Sequence, residues 1–123
     1  MNTPESNDNL VNERIAFKCA RSIEFVEVRR IIRVESSRAY CKLHILNDTP
    51  ITLSTPLKAI ETKLKAFPLF FRSHKSHLIN LMFVKSYHSD NGIKLVDNSF
   101  VPLTPCLKSS FLEKIEELFA GIK

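Results

Sequence analysis

The chain has 123 residues, 44% of them hydrophobic and 25% charged, with two glycines, three cysteines and no tryptophan. That makes one domain with enough apolar material for a core. It excludes a glycine-rich phosphate loop, a disulfide framework and a membrane span, since no apolar run nears the roughly 20 residues a bilayer-crossing helix needs.

Residues 1–13 are polar, carry Glu5, Asp8 and Glu13 without a base, and read as a disordered leader rather than a secretory signal. Ile15 and Phe17, then Ile23 and Phe25, alternate with polar residues, and Ile31, Ile32 and Val34 form a further apolar run. These are strand signals. Tyr40, Leu43 and Ile45 lead into the turn cluster Asn47-Asp48-Thr49-Pro50, after which Ile51 and Leu53 resume with period two. The pattern predicts a hairpin.

Thr55 and Pro56 offer a cap and a first helical residue, and Leu57, Ile60, Leu64 and Phe67 fall on one helical face before Pro68. Lys58, Lys63 and Lys65 lie off that stripe. Further on, Asp90-Asn91-Gly92 and Asp97-Asn98 predict turns between short strands at Val84 to Tyr87, Ile93 to Val96, and Phe100 to Val101. Thr104-Pro105 repeats the cap-plus-proline pattern before a last helix with Leu107, Phe111, Ile115 and Leu118 on one face. The expected fold is mainly β, with eight to ten short strands, one internal helix and one C-terminal helix. One domain spans residues 14–120.

Charge is unevenly spread. The net charge is +5, with a pI near 9.3. Residues 14–112 hold 16 of the 18 bases but only 7 of the 13 acids, a net of +9. From Thr62 to Ser89 there is no acid, only Lys63, Lys65, Arg72, Lys75, Lys85 and three histidines. Such a stretch gathers anions. Cys19, Cys41 and Cys106 are scattered, which fits small buried side chains in a reducing cytoplasmic setting.

The segment Phe70–Asn80, FFRSHKSHLIN, concentrates the chemistry. His74 and His77 lack a nearby third ligand for a metal, and an extended stretch would send them to opposite faces. Ser76 lacks a nucleophile elbow and an orienting carboxylate, so no catalytic residue is assigned. Arg72 offers a planar fork of donors and Lys75 a mobile charge, with neutral donors beside them. These groups suit phosphates and guanine edges. Phe70 and Phe71 read as core, Asn80 as a structural amide, and Arg29 and Arg30 as plain surface. His74 is divided between ligand contact and bridging of its own loop.

Phe70-x-Arg72-x-His74-Lys75-Ser76-x-Leu78-Ile79-Asn80 resembles the motif F-x-R-x-H-[RK]-S-x-L-[IV]-N of the LytTR DNA-binding domain. Ile31-Ile32-Arg33-Val34-Glu35-Ser36, Tyr40 and Leu53-Ser54-Thr55-Pro56-Leu57-Lys58-Ala59-Ile60 match other pieces of that family in order. The resemblance spans residues 15 to 119. It implies an elongated arrangement of short, mostly antiparallel sheets, and a bacterial, cytoplasmic transcription regulator whose loops enter the major groove of double-stranded DNA.

Carried over by position, Arg72, His74 and Lys75 form one contact region, and the loop around Ser37, Arg38 and Tyr40 a second, with Lys42 a further candidate beside it. A third departs from the pattern: Thr104 stands for a family serine, no arginine follows, and Lys108 is the nearest cation. Most members sit behind a receiver or membrane domain, and this chain resembles the stand-alone form. The resemblance implies no cofactor, metal, membrane or small-molecule substrate. It leaves open a homodimer on DNA through the last helix. The alternative function is a protein-interaction module that binds another regulator without reading DNA sequence.

Overall fold

The computed structural model describes residues 13–90 and 92–119. The expected leader therefore lies outside the described residues, apart from Glu13. Ten strands and two α-helices follow. A first hairpin pairs β1 (Arg14–Lys18) with β2 (Ile23–Glu27). Next come β3 (Ile31–Ser37), β4 (Tyr40–Ile45), β5 (Ile51–Leu53), helix α1 (Leu57–Lys63), β6 (Phe70–His74) and β7 (His77–Asn80). These five strands form one sheet in the order β5-β4-β3-β7-β6, every pair antiparallel. A three-stranded sheet holds β8 (Val84–His88), β9 (Gly92–Leu95) and β10 (Phe100–Val101), with β9 central. Helix α2 (Lys108–Phe119) ends the described chain.

The central sheet separates two cores. Along a strand, successive side chains point to opposite faces. Val34, Leu43 and Leu78 face one way and pack with Leu57, Ile60 and Leu64 and with Phe17, Val26 and Val28. Ile32 and Ile79 face the other way and meet Leu81, Ile93, Leu95, Val101 and Phe111. The adjacent pair Leu78-Ile79 thus feeds both cores, which is why it reads as an unbroken apolar run. Burying each such side chain contributes about 1.5–3 kcal/mol.

Turn chemistry sets the hairpins. Asn47 and Asn98 adopt φ +59° and +69°, a region asparagine enters more readily than most residues. Gly92 has φ +97°, and a Cβ there would lie 2.4 Å from the Val101 carbonyl oxygen.

Two local expectations change. The expected caps are not made by side chains: Pro56 before α1, and Thr104 before a 3-10 turn at Pro105–Leu107 that leads into α2, hold the capping positions without a side-chain cap bond. The Pro56 carbonyl instead accepts from Ala59 and Ile60 at 3.0 and 3.2 Å. Pro56 itself is extended, at φ −66° and ψ 153°, so the cap falls on Pro56 and not on Thr55. In β2, Val26 turns inward, while Ile23 and Phe25 pair with Lys18 and Ala16 on the outer face and stay 61% and 65% exposed.

Candidate nucleic-acid interface

Two tight turns close hairpins at the same end of the central sheet. In β3–β4, Ser37 pairs with Tyr40 across Arg38-Ala39. In β6–β7, His74 pairs with His77 across Lys75-Ser76. Because β3 and β7 are neighbours with Glu35 opposite His77, the turns lie side by side. The Ser36 amide donates to the Ser76 carbonyl at 2.9 Å and ties them together. Arg38, Tyr40, Lys42 and Lys75 are all exposed. Among the described residues, none of the three cations forms an ion pair. Arg38 holds φ +59°, a costly conformation for a residue with a Cβ.

The turn at Lys75 is fixed from several sides. The Ser76 amide donates to His74 Nδ1 at 3.1 Å. That bond requires Nδ1 to be an acceptor, so a neutral His74 carries its proton on Nε2, as a donor. His74 and His77 do not point to opposite faces, because the chain reverses between them and pairs them. Their rings meet edge to face at 5.8 Å. Behind the turn, Ser73 and Asn80 are buried. The Ser73 carbonyl accepts from the Thr104 amide at 2.9 Å, so the segment before α2 docks on β6. Asn80 donates to the Ile31 carbonyl and accepts from the Met82 amide, each at 2.9 Å, the structural role expected of it.

Arg72 is where geometry departs most from the sequence expectation. Its guanidinium turns back into the protein. Nε donates to the His74 carbonyl at 3.1 Å, Nη2 to the Lys75 carbonyl at 2.6 Å, and Nη1 to Glu61 Oε1 at 2.5 Å. Glu61 is the last acid before the acid-free stretch, and it lies on α1, eleven residues away. Sequence reading missed it because only the helix-to-β6 return brings the pair together. Lys108 lies on neither turn but at the start of α2, with its ammonium 6.0 Å from the Tyr87 ring centre. Cys106, in the stretch where the family arginine is missing, is exposed.

A polar cluster lies on the sheet face that carries Lys42. Glu35 Oε1 meets His44 Nε2 at 2.7 Å and Arg33 Nη1 at 2.8 Å. Arg33 Nε also donates to Asp97 Oδ2 at 3.1 Å, joining the central sheet to the β9–β10 turn. Burial alone would raise the Glu35 carboxyl, but hydrogen bonds from His44 and Arg33 outweigh it and hold it below its ordinary value. Burial lowers both His44 and His77, so these rings favour the neutral form. Among the described residues, His77 Nδ1 is buried without a hydrogen-bond partner.

Comparison with known proteins agrees with this geometry. No curated protein matches the chain. Among solved structures, the LytTr DNA-binding domain of a methyl-accepting/DNA response regulator from Bacillus cereus has a similar fold, with a TM-score of 0.68 at 17% identity. That match covers 84% of this chain and 96% of the other. The family model of the LytTr DNA-binding domain matches residues 21–116, most of the chain and both turns, and the protein therefore belongs to the LytTr DNA-binding domain family.

Proposed function

We propose that this chain regulates transcription by binding double-stranded DNA at a preferred sequence, with its two adjacent turns entering the major groove. The observation that carries the reading is the placement of Arg38 and Lys75 on neighbouring turns of one sheet, exposed and without acidic partners among the described residues. Lysine and arginine suit both guanine edges and phosphates. His74 offers an Nε2–H donor beside Lys75, and Tyr40 an exposed hydroxyl beside Arg38. Lys42 and Lys108 serve as flanking phosphate contacts.

The test is selection of duplexes from a random library, followed by titration of the selected duplex against a scrambled one. Wild type should prefer the selected duplex, and its affinity should fall steeply with salt as phosphate neutralisation releases counterions. Lys75→Ala should lose about 1–3 kcal/mol on the selected duplex while its thermal stability holds. Failure to enrich any duplex would overturn the reading. It would favour a module that binds another regulator, a reading supported by the exposed Ile23 and Phe25 on β2.

A further inference from the structure

We propose that Glu61 and Arg72 are a positioning couple that sets the Lys75 turn for base recognition. The inference rests on the DNA-binding function proposed for that turn and assigns Arg72 a different part in it. Arg72 sits opposite Leu78 in the β6–β7 register, so its side chain leaves the sheet on the α1 side. From there its planar fork reaches two successive turn carbonyls, those of His74 and Lys75. Holding these carbonyls fixes the peptide planes on either side of Lys75. The direction in which the lysine side chain departs follows from those planes.

The third nitrogen of the fork is taken by Glu61. Glu61 follows the fully buried Ile60 on α1, and Leu64 beyond it is 1% exposed. The carboxylate thus ties the guanidinium to an element packed into the first core. A lysine at position 72 has one ammonium and cannot make the same planar three-way contact. Ser76 completes the arrangement on the other side of the turn, through its amide to His74 Nδ1 and its carbonyl to the Ser36 amide.

The sign of one substitution separates positioning from direct contact. Glu61→Ala removes a negative charge near the interface. If Glu61 only restrains Arg72 from reaching a phosphate, this variant binds DNA as well as wild type or more tightly. If the couple positions the turn, affinity for the selected duplex falls by about ten-fold, while affinity for the scrambled duplex holds or rises.

Glu61→Gln keeps an acceptor for Nη1 and should stay close to wild type. Arg72→Lys keeps the charge but loses the fork, and should behave like Glu61→Ala. Amide exchange at Ser76 in the free protein should quicken in both weakened variants. A purely structural role would instead move melting temperature and both affinities together.

Undiminished selectivity in Glu61→Ala and Arg72→Lys overturns the inference, and Arg72→Lys alone decides it should Glu61→Ala fail to fold. Equal losses on both duplexes overturn it too, as does a salt slope reduced by about one in Arg72→Gln, the mark of a phosphate contact. If Lys75→Ala loses selectivity and the couple's variants do not, the DNA reading stands and only the couple falls. If wild type itself shows no selectivity, both fall.

Discussion

Asn80 offers a demanding test of the fold, because its amide satisfies backbone groups at the junction of both sheets. It is 1% exposed. Asn80→Ala strands the Ile31 carbonyl, whose residue is fully buried, and the Met82 amide, which opens a 3-10 turn. Each unsatisfied buried group costs about 1–3 kcal/mol. Met82 is half exposed, so water can relieve its amide and the second cost sits at the low end. The expected loss is about 2–4 kcal/mol, a large part of the 5–15 kcal/mol typical of a domain. Urea unfolding at neutral pH should show a lower midpoint with an unchanged slope.

Asn80→Asp sharpens the test. The carboxylate can still accept from Met82 but meets the Ile31 carbonyl with no proton to give. At neutral pH it should cost at least as much as alanine. On acidification the carboxyl gains a proton that it can donate to Ile31, so its deficit against wild type should shrink. A loss below about 0.5 kcal/mol for alanine, or a deficit for aspartate that widens as pH falls, would refute this account.

Arg38→Gly should move stability and binding in opposite directions. Relief of the positive φ, less the entropy of a freer unfolded chain, should leave stability unchanged or raised by about 0.5–1 kcal/mol. DNA affinity should drop, as read in the same duplex titration. Gly92→Ala should destabilise by more than about 1 kcal/mol, because its Cβ would strike the Val101 backbone and part β9 from β10; thermal melting reads this.

Acid should weaken the fold in two stages. Burial keeps His44 and His77 below the ordinary histidine value, so the unfolded chain takes up protons first and stability declines as pH drops below about 6.5. For Asp97, burial pushes the carboxyl up, but bonds from Ser99 and Arg33 hold it low, as those from His44 and Arg33 do for Glu35. Their contribution is present above the unfolded carboxylate range and is lost as pH falls through the lowered values. Unfolding midpoints measured from pH 8 to pH 3 should trace both declines.

Much of the fold was legible because local chemistry agreed with the final pairing. Asn47, Gly92 and Asn98 announce reversals through backbone conformations few other residues accept, and the three corresponding hairpins form where they stand. The stripe of Leu57, Ile60, Leu64 and Phe67 is buried as its spacing demands, although the helix itself ends at Lys63. Strand order was less legible. Nothing local says that β7 lies beside β3, since that contact is made across more than forty residues.

The candidate site divides along the same line. Arg38, Tyr40 and Lys75 are exposed where the family resemblance implies loops, while the local sequence carries no turn signal at Arg38-Ala39 or Lys75-Ser76. The inward course of Arg72 depends on a carboxylate delivered by α1. A count of charges along the chain stops one residue short of that partner. His74 and His77 were misplaced for a related reason: two-residue alternation holds within a strand and is reset where the strand reverses.

The manner in which the proposed contact regions are joined bears on how recognition could change. The first two turns belong to adjacent strands of one sheet, whose spacing of about 4.8 Å the hydrogen-bond ladder fixes. A shift of one turn against the other would break the ladder between β3 and β7 and disturb residues buried on both faces. The segment around Thr104 is attached differently. It meets β6 through the Thr104 amide and the Ser73 carbonyl, and among the described residues no strand pairing joins it to the central sheet. Leu103 before it packs on the second core, but Pro105 and Cys106 are exposed and can change without cost to either core. The two rigid turns would keep the mode of docking, and the loosely attached third segment would be free to alter which bases are preferred. Placing arginine at position 106 should then change the consensus obtained by duplex selection while leaving the salt dependence contributed by Arg38 and Lys75 in place. An unchanged consensus would mean that this segment does not reach the bases.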